Sequence, residues 1–339
     1  MYIDYTVTEE DEGKTAEEVL RQRLGFSSAL CRRLRNEGGL TADGKFLLNK
    51  ESVARGMHLE VRLLAENELE GPLEAKEEIA ILFEDQWYAV VDKPPFTPTH
   101  PRFEGDRGLT TLLSDKRLHP ANRLDTDTSG LVIIAKNGYA HDRLNRTEIK
   151  KYYKGLVHGI TKEKGTMRYP ISRMPDSIIL RRSYPSGRPA VTHFVRTACW
   201  PKAAASLLTF RLETGRTHQI RVHCQAAGHP LAGDTLYGYE QTFHCRAEKR
   251  GRNRANYLLP ETRSFKDPSF SSDFKALALN RLLRRQFLHA ERLSFVHPIS
   301  GETLDLSAPM PEDLLLVLRT LNRKETASGP FYSAGSLDD

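Results

Sequence analysis

The run Leu131-Val132-Ile133-Ile134-Ala135 constrains this chain more than any other feature. It is short, unbroken and rich in β-branched residues, and Gly130 and Lys136 close it off. Such a run reads as a strand buried on both faces. The residues before it, Asn122 to Gly130, crowd two acids (Asp125, Asp127), Arg123 and several hydroxyl side chains into one loop. A polar loop feeding a rigid buried strand is a good place for chemistry, because the strand fixes whatever the loop presents. Composition alone fits a satisfied polar turn equally well.

A buried strand needs a core around it, and 339 residues allow two domains and a tail. No apolar run approaches the ~20 residues of a membrane span. Met1 to Gly13 is acidic and lacks the basic-then-apolar layout of a signal peptide, so the expectation is a cytoplasmic protein. Cys31, Cys199, Cys224 and Cys245 are scattered, with no Cys-x-x-Cys pair, which indicates neither a zinc site nor a disulfide framework. The net charge of +6 favours a polyanionic partner such as nucleic acid.

Thr15 to Leu24 reads as an amphipathic helix whose Thr15 and Glu18 have capping-box spacing. A second helix fits Ser27 to Asn36, with Ser27 as N-cap, Gly38 beyond its end, and Arg32, Arg33 and Arg35 along its exposed side. Asp43-Gly44 signals a hairpin, and His58 to Leu63 alternates like a strand. Arginines clustered on one helix suit phosphate contact, though a solvated helix face would look the same. The residues Leu24-Gly25-Phe26-Ser27, Arg32-Arg33-Leu34, Asp43-Gly44-Lys45 and Arg55-Gly56 resemble the ribosomal-protein-S-four-like RNA-binding module, giving residues 1–64 as that module. Residues 65–78 are acidic and contain Gly71-Pro72. They read as a linker that keeps two domains apart.

Beyond it, Ile79 to Phe83 and Trp87 to Val91 read as strands, with Lys93-Pro94-Pro95 ending the second. Asn137-Gly138 opens a helix. Ile149 to Gly159 is strand-like and holds Lys151, Tyr152 and Tyr153, and Leu207 to Glu213 alternates. Thr217 reads as the N-cap of a helix carrying His218, Arg221 and Gln225 on one face. Residues 242–284 read as a polar, irregular, basic insertion or loop. Leu288 to Phe295 is a strand, Pro311 to Leu321 a closing helix, and residues 322–339 a flexible tail.

Asp125 can supply a carboxylate, Arg221 a fixed cation and Tyr153 an aromatic face with a hydroxyl. Spacing alone does not show that they meet. The segments resemble the RluA-type family of pseudouridine synthases. Its central signature is matched from Arg123 to Leu131, and a second by Lys151, Tyr153, Val157 and Gly159. A third runs from Thr214 to His223 and on through Gly228-His229-Pro230-Leu231, Gly233-Asp234 and Tyr237-Gly238. A fourth spans Leu288 to Pro298. The matches keep family order across residues 79–321, the expected catalytic domain. Asn122 stands where the signature has histidine, which is expected to change local hydrogen bonding only.

The resemblance implies an α+β fold with a bent, mixed, largely antiparallel sheet flanked by helices. It implies isomerisation of uridine in RNA to pseudouridine, without cofactor or metal. Asp125 would be the essential carboxylate, either attacking the anomeric carbon or abstracting a ribose proton. Arg221 would hold it, and Tyr153 would stack on the flipped-out base and take the carbon 5 proton. Arg32, Arg33, Arg35, Arg123, Arg216 and His218 are the expected RNA contacts. The expected partner is ribosomal or transfer RNA, tilted to large-subunit ribosomal RNA by the N-terminal module, with the protein itself a monomer and not bound to membrane. Two rivals are a glycosidase-like hydrolase using Asp127 as second carboxylate and a non-catalytic RNA-binding or ribosome-assembly protein.

Overall fold

The computed structural model describes residues 2–63, 69, 71–103, 105–238, 270–325, 331–332 and 337. It begins with a four-stranded antiparallel sheet. β1 (Tyr2–Thr6) pairs with β4 (His58–Arg62), β4 with β2 (Leu40–Ala42), and β2 with β3 (Lys45–Phe46). The turn joining β2 to β3 holds Asp43 and Gly44 at φ of 49° and 76°, as a two-residue hairpin with the strands' own twist requires. Two helices cover this sheet. α1 (Ala16–Gln22) has its capping box, Thr15 and Glu18 each accepting from the other's N–H. α2 (Ser28–Glu37) is capped by Ser27 and stops at Gly38, whose φ is 71°.

The acidic stretch is not a free spacer. Leu69 and Leu73 are buried against Ile79, Leu109 and Leu112. The Lys76 N–H donates to the Leu112 carbonyl at 2.8 Å, and Glu84 accepts from the Leu73 N–H at 2.6 Å. Glu74, Glu77 and Glu78 are exposed, while two leucines four residues apart anchor the stretch. Nor are the two sheets held apart. Phe26 packs on Tyr139 with ring centroids 5.0 Å apart, and Tyr139 on Trp87 at 5.8 Å, so one apolar cluster runs from the N-terminal unit into the second. Phe26→Ala should therefore lower stability by about 3–5 kcal/mol. It should also split one calorimetric unfolding transition into two; a single unshifted transition would show that the ring does not couple the units.

The second unit is an eleven-stranded sheet among the described residues. Its main path follows β10 (Lys164–Met167), β13 (Thr192–Trp200), β14 (Ala205–Leu212), β9 (Ile149–His158), β15 (Leu288–Val296), β8 (Ser129–Ala135), β6 (Tyr88–Lys93) and β5 (Ile81–Glu84). β7 (His119–Pro120) joins β8, β16 (Thr303–Ser307) joins β15, and β17 (Phe331–Tyr332) joins β13. β11 (Ile171–Arg173) and β12 (Arg181–Ser183) form a separate hairpin. Every pairing is antiparallel except β8 with β15. The helices are α3 (Leu109–Leu113), α4 (Gly138–Leu144), α5 (Gln219–Ala226), α6 (Phe270–Asn280) and α7 (Glu312–Lys324). The fold is α+β, as expected.

All seven residues of β8 are buried, so the apolar run is a central strand. At its start the parallel pairing puts Gly130 opposite Ala290 on β15. Ala290 lies opposite Tyr153 on β9, and Tyr153 opposite Phe210 on β14. Gly130 sits at φ 115°, and a Cβ there would lie 2.2 Å from the Ala290 carbonyl oxygen, so only glycine permits this approach. One row across four strands thus links the end of the acidic loop to Tyr153.

Two expectations fail toward the C-terminus. The basic stretch His244 to Arg254 lies outside the described residues, but Phe270–Asn280, read as irregular, is α6. Its Leu279 packs with Phe287 and Leu314, an apolar face that the polar surroundings hid in the sequence. Residues 322–339 are not all tail. Asn322 lies inside α7 and accepts from the Trp200 indole N–H at 2.8 Å, while Phe331 and Tyr332 pair with Cys199 and Ala198.

Candidate active site

The loop from Asn122 to Ser129 is held at nearly every residue. The Asn122 side chain donates to the Leu131 carbonyl at 3.0 Å and accepts from the Ile133 N–H at 2.8 Å, clamping loop to strand. Thr99 Oγ1 accepts from the Leu124 N–H at 3.2 Å and donates to its carbonyl at 3.1 Å. The Thr128 N–H donates to the Asp125 carbonyl, closing a turn that lifts the Asp125 side chain. From behind, Lys93 donates to the carbonyls of Pro94, Thr97 and Thr126 at 2.8, 2.7 and 3.1 Å. Arg285 donates to the Asp127 carbonyl at 3.0 Å while its other nitrogens grip Asp313 at 2.7 and 3.0 Å. Gln286 donates to Thr128 Oγ1, and Ser129 shares a hydrogen bond with His289. Burial and then the Arg285 charge push the Lys93 ammonium down to about 7, partly offset by Asp125 and Asp127.

Asp125 meets Arg221 directly. Arg221 Nη1 donates to Asp125 Oδ2 at 2.9 Å, while Nε and Nη2 form a fork on Asp234 at 2.8 Å each. Asp234 also accepts the Leu236 and Tyr237 N–H groups at 2.9 Å, so it is itself fixed. Burial alone would lower the Arg221 pKa; Asp234 and then Asp125 more than offset it and hold the guanidinium above its ordinary value. The helix explains why Arg221 points here. Ile220 and Cys224 of α5 are buried in the same core cluster as Tyr153, Phe210 and Ala290, which puts the next residue, Arg221, at the cluster's edge facing the loop.

Tyr153 lines the cleft that Asp125 and Arg221 open into, a space of about 350 Å³ also lined by Lys151, His218 and Leu288. Burial and then the Asp125 carboxylate raise the Tyr153 phenol above its ordinary pKa, so the resting side chain is the neutral phenol. His218 reaches Asp125 from the other side, with Nε2 3.7 Å from Oδ1. The three residues expected to form the site, far apart in sequence, therefore share one cleft. Among the described residues no group of three His, Cys, Asp or Glu side chains could share a metal ion.

The other expected residues divide. Arg123 is exposed at the cleft rim and donates to Thr217 Oγ1 at 3.0 Å. Arg216 lies on the same rim and donates to the Pro189 carbonyl. Arg32 and Arg35 are exposed on α2, whereas Arg33 turns back to the Leu63 carbonyl and Glu37. Thr217 is not the N-cap of α5. His218 takes that place with φ 58° and no side-chain cap bond, and Gln219 ties down the preceding turn by accepting the Arg216 N–H at 2.9 Å. The positioning roles of Lys93, Thr99, Asp234 and Arg285 escaped sequence reasoning. Asp234 stood in Gly233-Asp234 beside Tyr237-Gly238 and Lys93 in Lys93-Pro94, but neither showed its partners.

Residues 87–226 match the family described as RNA pseudouridylate synthase. A Bacillus subtilis protein named uncharacterized RNA pseudouridine synthase YjbO is 32% identical over 314 residues, covering 88% of this chain and 96% of its own. Ribosomal large subunit pseudouridine synthase D of Xanthomonas campestris is 32% identical over 305 residues, covering 86% and 83%. The solved structure titled human RNA pseudouridylate synthase domain containing 1 superposes with a TM-score of 0.52 at 24% identity, over 78% of this chain and 94% of its own, and shares the fold. Identity at this level across most of both chains decides the family, and this chain belongs to the RluA-type RNA pseudouridine synthases, which are isomerases acting on RNA.

Proposed function

We propose that this enzyme isomerises uridine in large-subunit ribosomal RNA in the cytoplasm, with Asp125 as the essential carboxylate. The observation that carries the reading is the meeting of Asp125, Arg221 and Tyr153 in one cleft, with Arg221 forked between Asp125 and Asp234. The ribosomal substrate is supported by the name of the Xanthomonas relative, a ribosomal large subunit pseudouridine synthase. N-terminal Arg32 and Arg35 would add phosphate contacts that position RNA without reading sequence.

The reaction breaks the bond from the ribose anomeric carbon to N1 and forms one from the same carbon to C5. N1 then carries a proton, and C5 gives one up. Asp125 reaches the anomeric carbon or the 2′ hydrogen through the carboxylate edge that faces the cleft. Arg221 holds that carboxylate oriented, so no reorganisation is needed as charge moves. Tyr153 stacks on the uracil and relays the C5 proton: its oxygen takes the hydrogen from C5 as its own hydroxyl hydrogen passes to solvent, so the side chain ends as the neutral phenol again. Tyr153→Phe keeps the stacking face and removes the carrier. Turnover should fall by about two orders of magnitude, with RNA affinity preserved. Unchanged turnover would restrict Tyr153 to stacking.

The test of the whole reading is release of tritium from RNA labelled at uridine C5, which reports loss of the C5 hydrogen. Mapping pseudouridine in ribosomal RNA from cells with and without the protein then identifies the site. No release from any large-subunit transcript, together with an unchanged ribosomal map, would overturn the reading.

A further inference from the structure

His218 is the one side chain at the site held in a left-handed backbone conformation, φ 58° and ψ 24°. Histidine tolerates this region better than most residues, but glycine and asparagine tolerate it more readily. The ring is hydrogen-bonded at Nδ1 and stands beside Asp125 at Nε2. Nδ1 lies 2.8 Å from the Tyr237 hydroxyl, and Nε2 lies 3.7 Å from Oδ1 of Asp125. Oδ1 is the carboxylate oxygen that Arg221 does not hold, since Arg221 binds Oδ2.

The Tyr237 oxygen already accepts the backbone N–H of Arg181 at 2.7 Å. Among the described residues its own hydrogen has one hydrogen-bond acceptor, His218 Nδ1. A neutral imidazole that accepts at Nδ1 carries its hydrogen on Nε2. That hydrogen faces the free oxygen of Asp125. Burial, which leads the opposing pull of Asp125, holds the imidazole below its ordinary pKa and so favours the neutral ring.

We propose that His218 is a positioning residue for the isomerisation: its Nε2 hydrogen, fixed by the chain Arg181 amide to Tyr237 hydroxyl to His218 Nδ1, orients Oδ1 of Asp125 toward the nucleotide. Arg221 sets one carboxylate oxygen and His218 the other. Because Arg181 begins β12, the hairpin of β11 and β12 ends in the same chain, and its backbone reaches the catalytic carboxylate through two side chains. The inference rests on Asp125 being the essential carboxylate.

Rescue separates this role from a merely structural one. His218→Gln places an amide N–H near the old Nε2 but fits the left-handed backbone poorly. His218→Asn fits that backbone and falls short of Asp125. His218→Phe keeps the ring and has no donor. The substrate is a large-subunit ribosomal RNA transcript tritiated at uridine C5, and kcat and KM are read separately. Asn and Phe should lose roughly tenfold to a hundredfold in kcat with KM little changed, as for loss of a polar contact that tightens to a hydrogen bond on the carboxylate when the nucleotide is bound. Gln should retain more kcat than either. Tyr237→Phe should lower kcat in the same direction. Nitrogen NMR of histidine-labelled protein, with the His218 signal identified by its absence from His218→Gln, should show the Nε2-protonated tautomer in wild type. Tyr237→Phe should alter that signal.

Full activity in Asn with loss in Gln would make His218 a backbone device and overturn the proposal. An Nδ1-protonated tautomer would overturn it independently of any RNA. Asp125→Asn is run alongside. If it is active, the underlying reading fails; if it is dead while His218→Phe turns over like wild type, only this inference fails.

Discussion

Asp125→Asn should abolish pseudouridine formation, by at least about four orders of magnitude, while RNA binding and folding persist. The amide oxygen can still accept the Arg221 hydrogen bond that the carboxylate takes at 2.9 Å, so the loop keeps its shape. What disappears is the negative charge that attacks or abstracts. Single-turnover tritium release measures the chemistry, and filter binding on the same RNA measures affinity. Activity within about tenfold of wild type would remove Asp125 from the mechanism, because loss of an essential nucleophile or base costs far more.

Arg221→Lys should cost about two to three orders of magnitude although charge is retained. The guanidinium spends three nitrogens on two carboxylates, one on Asp125 and two on Asp234. An ammonium has no planar fork and a different reach, so it cannot keep two parallel bonds to Asp234 and the bond to Asp125 in the same geometry. Asp234 is fully buried at its side chain; removing its partner outright would cost about 3–5 kcal/mol, and a lysine that loses the fork keeps the charge and so forfeits only part of that. The variant should therefore melt earlier as well as turn over slowly. Adding Asp234→Asn should recover melting temperature and not activity. A Lys variant that melts and turns over like wild type would show that neither the fork nor its orientation matters.

The strand at Leu131–Ala135 was legible because an apolar β-branched run has one stable setting, and β8 is buried throughout. The hairpin at Asp43-Gly44 and the caps at Thr15, Ser27 and Asn137 were legible because they are local chemistry. Asp125, Tyr153 and Arg221 could be named from ordered motifs, but only the sheet brings them together. The hidden parts depend on partners distant in the chain. Lys93 donates to carbonyls, which every residue has, so no side chain in the sequence points to it. Arg285 reaches Asp127 across more than 150 residues. Phe26 looked like part of a separate module, and only its contact with Tyr139 shows it joining two sheets. Thr217 had the right chemistry for a cap, but the backbone turns one residue later, at His218.

The parallel seam between β8 and β15 has a consequence for how the enzyme comes into being at the ribosome. Asp125 leaves the exit tunnel long before some of the groups that hold its loop. Arg285, Gln286, His289 and Ala290, which hold the loop and its first strand residues, follow some 160 positions later, and Asp313, which anchors Arg285, later still. Contacts of such long sequence separation form late and slowly. A nascent chain carrying every motif up to His223 would have the Lys93, Thr99, Asn122 and Arg221 contacts but not those of Arg285, Gln286 and His289. On the proposed mechanism the full set of loop contacts is complete only near the end of synthesis, and a chain truncated before Arg285 should not turn over.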